Sequence, residues 1–238
     1  MKYLFNKNLI IISKINNIVM LCSIFVGSLK KNIKDSNTYR TALLVKKEFA
    51  KYEVETKLYY LRNFRIAPGV EFDTGEKWDE FKQFYEVVNS SDILMLATPI
   101  WWGIHSSLCQ SFMERIGAYD DLAIKTGFTP LYNKVFGCII TASNDGFQHV
   151  HGIFNSFASN MGMTCPPENH VYWGTKVSFS KSSEDPRKNK ETMNQIKNCV
   201  RNLYLWSKVI KKLDLGTKAQ NINPGRVGLL SDDTEFES

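Results

Sequence analysis

The 238-residue chain contains no Cys-x-x-Cys pair, and its five cysteines, Cys22, Cys109, Cys138, Cys165 and Cys199, are odd in number and widely spaced. That pattern builds neither a disulfide framework nor a zinc site, and it suits a reducing compartment, so a cytoplasmic location is expected. Glycine and proline are few, at 14 and 7 residues, which excludes collagen-like and low-complexity chains. Internal repeats are absent. The apolar run at 18–26 is too short to span a bilayer, so no membrane partner is expected. Thirty basic against 24 acidic side chains leave a formal charge of +6, which favours anionic ligands but does not mark a nucleic-acid binder. With 43% of residues apolar there is enough material for one compact core.

The N-terminus lacks acidic residues before Asp35 while Lys2, Lys7, Lys14, Lys30, Lys31 and Lys34 precede it. Ile18 to Val26 can be read as a signal-peptide core with Gly27-Ser28 near a cleavage site. It can also be read as a fully buried β-strand ending in a glycine turn. The strand is the reading adopted, because the segment after it makes chemical sense only if the strand is kept. Residues 1–17 then form an N-terminal extension, either an added edge strand through Leu9-Ile10-Ile11-Ile12 or a targeting tail. Residues 18–215 form the domain, and 216–238, polar and ending in Asp232, Asp233, Glu235 and Glu237, form a loose C-terminal tail.

Between these ends, buried-strand runs alternate with helical periodicity. Tyr39, Ala42, Leu43, Phe49 and Ala50 share a helical stripe, and Tyr52 to Leu61 offers a second strand. Trp78, Phe81, Phe84, Tyr85 and Val88 are spaced for a helix, and Ile93 to Ala97 is an uninterrupted apolar strand. Leu108, Phe112, Met113 and Ile116 mark a helix capped by Ser106 or Ser107. Lys134 to Ala142 is a fourth strand, Phe147 to Met161 an amphipathic helix, Val171 to Trp173 a short fifth strand, and Met193 to Leu213 the last helix. Five strands alternating with helices predict an α/β domain with a parallel sheet covered on both faces.

In such a sheet ligands collect at the carboxyl ends of the strands, where strand order reverses. The loop after the first strand, Gly27 to Thr38, carries Ser28, Lys30, Ser36, Asn37 and Thr38, which with the amides opening the next helix could surround a phosphate. It has neither the Gly-x-Gly-x-x-Gly turn nor the Gly-x-x-x-x-Gly-Lys-Ser/Thr loop, which disfavours a Rossmann dinucleotide site and a P-loop triphosphatase. Read by itself it could equally be a solvated loop with a helix cap. The loop after the third strand, Thr98-Pro99-Ile100-Trp101-Trp102-Gly103-Ile104-His105-Ser106-Ser107, pairs two tryptophans that are costly to leave in water unless they cover something flat. A planar ring system fits, and so does packing against a helix or a second subunit. After the fourth strand, Ser143, Asn144 and Gly146 lie in a polar turn that could present donors to carbonyl oxygens. His105 could touch a ligand or simply pack, and His149 and His151, two apart on a helix, point in different directions and are poor metal partners.

At these residues the chain resembles the flavodoxin-like NAD(P)H-dependent FMN reductases, particularly the multimeric flavodoxin branch. Gly27-Ser28-x-Lys30 with Ser36-Asn37-Thr38 is similar to that family's phosphate loop. Thr98-Pro99-Ile100-Trp101-Trp102-Gly103, followed by Leu108 and Arg115, is similar to its flavin segment. The resemblance implies a five-stranded parallel sheet of order 2-1-3-4-5 with FMN as cofactor. It places phosphate on Ser28, Lys30, Ser36, Asn37 and Thr38, and the ring system along Thr98, Pro99, Ile100, Trp101, Trp102 and Gly103, bordered by Ser143, Asn144 and Gly146. The basic residue at 30 is Lys where the family often has Arg, and Lys31 or Lys34 could take its place in this longer loop. Arg65-Ile66-Ala67-Pro68-Gly69 stands where iron-sulfur relatives carry cysteines, so no cluster is expected. The activity implied is an FMN-dependent oxidoreductase passing hydride from NAD(P)H to a quinone, flavin or other small acceptor, as a homodimer or homotetramer. No side chain is required as a nucleophile. The alternatives are a flavodoxin-type electron carrier and a cofactor-free interaction protein with the same fold.

Overall fold

The computed structural model describes residues 19–127, 129–143, 146–174, 187 and 189–213. The proposed extension at 1–17 and tail at 216–238 lie outside the described residues. Five strands, β1 (Met20–Val26), β2 (Val54–Tyr60), β3 (Ile93–Pro99), β4 (Val135–Ala142) and β5 (His170–Gly174), form one sheet of order β2-β1-β3-β4-β5. Every pairing is parallel, so each connection crosses over through a helix. The helices are α1 (Asn37–Phe49), α2 (Lys82–Ser90), α3 (Ser107–Ile116), α4 (Ala118–Thr126), α5 (Phe147–Asn160) and α6 (Lys190–Leu213).

The central strands read as unbroken apolar runs because both of their faces are covered. Along β3, Leu94 and Leu96 pack with Phe112, Phe136 and Phe154 on the side of α2, α3 and α5. Ile93, Met95 and Ala97 face Val45, Val200 and Leu203 on the side of α1 and α6. The interior leaves an apolar void of only about 10 Å³ beside Phe25 and Phe136, at the limit of what a single water needs.

Several elements differ from the sequence reading. The buried face of α1 is Thr38, Thr41, Ala42, Val45, Glu48 and Phe49, whereas Leu43 is exposed and Ala50 lies beyond the helix. The strand expected from Tyr52 starts at Val54, because Glu53 takes a left-handed backbone (φ 57) that breaks the extended run. Helix α2 begins at Lys82 and leaves Trp78 outside it. The reason is Asp79: its buried carboxylate accepts from the amides of Ala67 and Phe81 at 3.1 Å and pairs with Arg115 Nη2 at 2.9 Å. Turning Asp79 inward gathers the loop before α2 onto α3, and Arg115 also lies over the Phe81 ring. Helix α4 has no counterpart in the sequence reading, since only Ala118 and Tyr119 of its nine residues are buried.

Candidate functional site

The carboxyl ends of β1, β3, β4 and β5 open into a cleft of about 730 Å³, within the roughly 300–1,000 Å³ of small-molecule sites. It forms where β1 leads outward to β2 on one side and β3 leads to β4 on the other, the point of reversal in strand order.

One wall is the segment between β1 and α1. Gly27 N extends the ladder by donating to Ala97 O at 2.8 Å. The loop is then pinned from the end of β2 and the turn after it, with Tyr60 OH donating to Lys30 O and Arg62 Nη1 to Leu29 O, both at 2.8 Å. Ser36 is the N-cap of α1, its Oγ accepting from Tyr39 N at 3.1 Å. The amides of Asn37 and Thr38 open the helix with no intrahelical acceptor, where the helix dipole favours negative charge. Ser28, Ser36 and Thr38 are buried beneath the cleft, whereas Lys30 reaches solvent. Thr38 Oγ1 lies 2.7 Å from Thr141 Oγ1, which ties the head of α1 to the end of β4.

The opposite wall is a two-residue hairpin. Trp101 N donates to Ile104 O at 2.8 Å and Ile104 N to Trp101 O at 3.0 Å, with Trp102 (φ 51) and Gly103 (φ 80) at its tip. Both tip residues have positive φ, the primed turn that suits a tight hairpin. Glycine does this freely, but the left-handed backbone costs Trp102 about 1–2 kcal/mol. Trp101 is half exposed and Trp102 wholly so. Gly103 lies against Gly146 (φ 118), where a Cβ would come 3.2 Å from Gly103 O.

The sequence-predicted residues therefore meet, with distinctions among them. Ser28, Lys30, Ser36, Asn37, Thr38, Pro99, Ile100, Trp101, Trp102, Gly103 and Ser143 all line the cleft. Thr98 does not: it is fully buried, its hydroxyl donating to Pro99 O at 2.8 Å and accepting from Ser106 N at 2.9 Å, so it braces the loop from below. Gly146 borders the hairpin, and Asn144 lies outside the described residues. Leu29, Asp35, Thr141, Ala142 and Trp173 also line the cleft and were missed. The strand-end rule that selected the other loops also points to Trp173, near the carboxyl end of β5.

His105 is buried with neither ring nitrogen hydrogen-bonded, edge-on to Phe154 at 5.4 Å. Burial, and then the nearby His149, pushes its pKa below the ordinary histidine value. His151 is held by Asn169 and Asn155 at 3.1 and 3.0 Å, a structural role on α5.

The donor set suits FMN. A loop of hydroxyls, helix-opening amides and one lysine matches a phosphate, and an aromatic wall across the same cleft matches a flat ring system. Comparison with known proteins agrees. Residues 20–178 match the family of NADPH-dependent FMN reductases. Over 106 residues, 43% of this chain and 41% of the relative, the sequence is 33% identical to the 8-demethyl-8-aminoriboflavin-5'-phosphate synthase of Streptomyces davaonensis. The chain matches less than half the length of its curated relatives.

Among solved structures, RosB with the bound intermediate 8-demethyl-8-formylriboflavin-5'-phosphate is similar with a TM-score of 0.74 at 20% identity, covering 92% of this chain and 89% of that one. The apo form of EmoB, an NADH:FMN oxidoreductase, gives 0.60 at 13% identity, with 85% and 94% covered. These two likenesses show the fold. The family match runs through all five strands and both walls of the cleft: the chain belongs to the NADPH-dependent FMN reductase family, and its cofactor is FMN.

Proposed function

We propose that the protein is an FMN-dependent oxidoreductase that takes hydride from NAD(P)H and passes reducing equivalents to a small acceptor, a quinone or a flavin. The observation that carries this reading is the single cleft of about 730 Å³ joining a phosphate cradle to an aromatic wall. FMN, when bound, supplies the redox chemistry, accepting hydride from a nicotinamide and releasing electrons to the acceptor. The protein's own residues bind and orient. Ser28, Ser36, Asn37 and Thr38 would hold the phosphate, with Lys30 neutralising charge from the solvent side. Pro99 to Gly103 would line the rings, and Ser143 would border their polar edge. Among the described residues lining the ring end, Pro99 to Gly103, Thr141 to Ser143 and Trp173, the side chains would position the rings.

The test is the absorption spectrum of the purified protein followed by anaerobic NADPH addition. A yellow protein bleached by NADPH and re-oxidised by a quinone is the expected result. A flavin-loaded protein that NADPH cannot bleach would leave an electron carrier.

The 33% identity to the aminoriboflavin phosphate synthase favours a second reading, in which a riboflavin phosphate in this cleft is the reactant itself. Mass analysis of the flavin recovered after turnover separates the two, since an oxidoreductase returns FMN unchanged.

A further inference from the structure

Helices α1 and α6 lie side by side on one face of the sheet, and Tyr52, just beyond α1, sets its ring 4.8 Å from that of Tyr204 on α6. Together the two helices hold nine basic and two acidic residues, a surplus of seven against +6 for the entire chain. The net positive charge of the protein is therefore gathered on this one face. Lys46 and Lys47 of α1 and Lys197, Arg201, Lys208 and Lys212 of α6 are all exposed. Among the described residues none of the six pairs with a carboxylate. Apolar side chains stand among them. Leu205, Val209 and Leu213 recur every fourth residue on α6 with Trp206 beside them, each between 42% and 60% exposed. Steps of three and four residues keep to one side of a helix, so this apolar stripe runs alongside the basic one.

The combination selects the partner. A nucleic-acid backbone is held by the cations alone and would leave the leucines and the valine in water. A second copy docked through the same face would set lysine against lysine. An anionic bilayer takes both kinds of side chain: its phosphates attract the cations, and the boundary between headgroups and acyl chains accepts tryptophan and aliphatic groups. We propose that the outer face of α1 and α6 is a docking surface for an anionic lipid bilayer, with Leu205, Trp206, Val209 and Leu213 entering the interface and Lys208 and Lys212 at the headgroups. The expectation of no membrane partner concerned a spanning segment, and among the described residues no helix is long and apolar enough to cross a membrane. Lying on a bilayer asks only for one such face. The C-terminal half of α6 reaches the amino end of the sheet, where Lys211 pairs with Asp92 at 2.6 Å, so docking leaves the cleft at the carboxyl end open. The inference stands whatever the cleft binds.

The test is co-sedimentation of the full chain with vesicles of phosphatidylcholine alone and of equal parts phosphatidylcholine and phosphatidylglycerol. The wild type should pellet with the anionic vesicles, stay in solution with the neutral ones, and be released by added salt. The double variant Lys208→Gln/Lys212→Gln should lower the partition coefficient about thirtyfold. Trp206→Ser, which leaves every charge in place, should lower it at least about fivefold. Lys125→Gln, an exposed lysine of α4 on the other side of the sheet, should bind like wild type. Thermal melts of the variants confirm that each is folded. A wild type that ignores anionic vesicles overturns the proposal, and so does a Trp206→Ser protein that binds them undiminished, since the attraction would then be to any polyanion. Light scattering in which Trp206→Ser splits an oligomer would give the face to a second copy. Carbodiimide cross-links from Lys208 or Lys212 to the acidic residues at 232–237 in vesicle-free protein would give it to the chain's own tail, and either result overturns the assignment to lipid.

Discussion

Ser36 shows how much one side chain can be asked to do in this fold. It is buried, it caps α1 through Tyr39 N, and it sits in the proposed phosphate loop. Aspartate is an equally good N-cap, so Ser36→Asp keeps the helix start while setting a carboxylate where a phosphate would lie. Repulsion at about 4 Å in a partly screened site is worth about 2–4 kcal/mol, so FMN affinity should fall about thirtyfold to a thousandfold. The melting temperature of the FMN-free protein should change little. A fluorescence titration with FMN and a thermal melt check both halves, and a variant that keeps wild-type affinity removes this loop from the phosphate site. At this scale the sequence was informative about residue type and less so about direction. Thr98 and Trp102 belong to one short motif, yet one hydroxyl is spent bracing the loop and the other side chain stands in water. No local pattern distinguishes them, because neighbours distant in the chain decide which way each one points.

At the scale of elements, the turn after β1 has an unexpected cause. Gly27 has an ordinary backbone, and it is required because α3 packs against it: a Cβ there would fall 2.3 Å from Cys109 Sγ and 2.8 Å from Ser106 Oγ. Gly27→Ala should therefore cost about 1–3 kcal/mol by overpacking. In a Cys109→Ala background the cost of the same change should shrink, because the clashing sulfur is gone. Urea unfolding of the four proteins in this cycle measures both quantities. If the cost does not depend on residue 109, the close approach is not the reason for the glycine. Strands β3 and β4 were legible from sequence because burial on both faces leaves an unbroken apolar signal. Helix α4 was not, because a helix that buries two residues leaves almost no periodic pattern. The start of α2 was misplaced by four residues because Asp79, read alone, gives no sign that its carboxylate is the hub of a buried network.

Across the whole molecule, the two ends of the sheet are built differently. The carboxyl end is open as the cleft, and the amino end is closed by polar ties. Asp92 accepts from Leu21 N at 2.8 Å and pairs with Lys211 at 2.6 Å, while buried Lys134 donates to the carbonyls of Asn89 and Ser91 at 2.8 and 2.7 Å. Burial pulls the Lys134 pKa down to about 8, against an opposing push from Asp92 and with a further lowering from Lys211. The unfolded chain keeps that proton to about pH 10.5, so between about 8 and 10.5 the folded state binds fewer protons and stability rises with pH. The lysine's share is at most about 3 kcal/mol. Buried thiols such as Cys109, raised to about 11 by burial, act in the opposite sense, so the quantity to measure is wild-type stability minus Lys134→Met stability. That difference should climb across the window, and a flat difference would refute the assignment. The alternation of buried strands and helices and the two cleft loops were legible in the sequence itself, because hydrophobic period and strand-end turn chemistry are local properties, whereas the strand order was implied only by the family resemblance. Tertiary structure alone decided which hydroxyls face the cleft, that Asp35 joins its lining, and that Trp102 is left in water. Those outcomes depend on which side chains distant in the sequence pack against or hydrogen-bond each position in the folded chain, and no window of sequence contains that information.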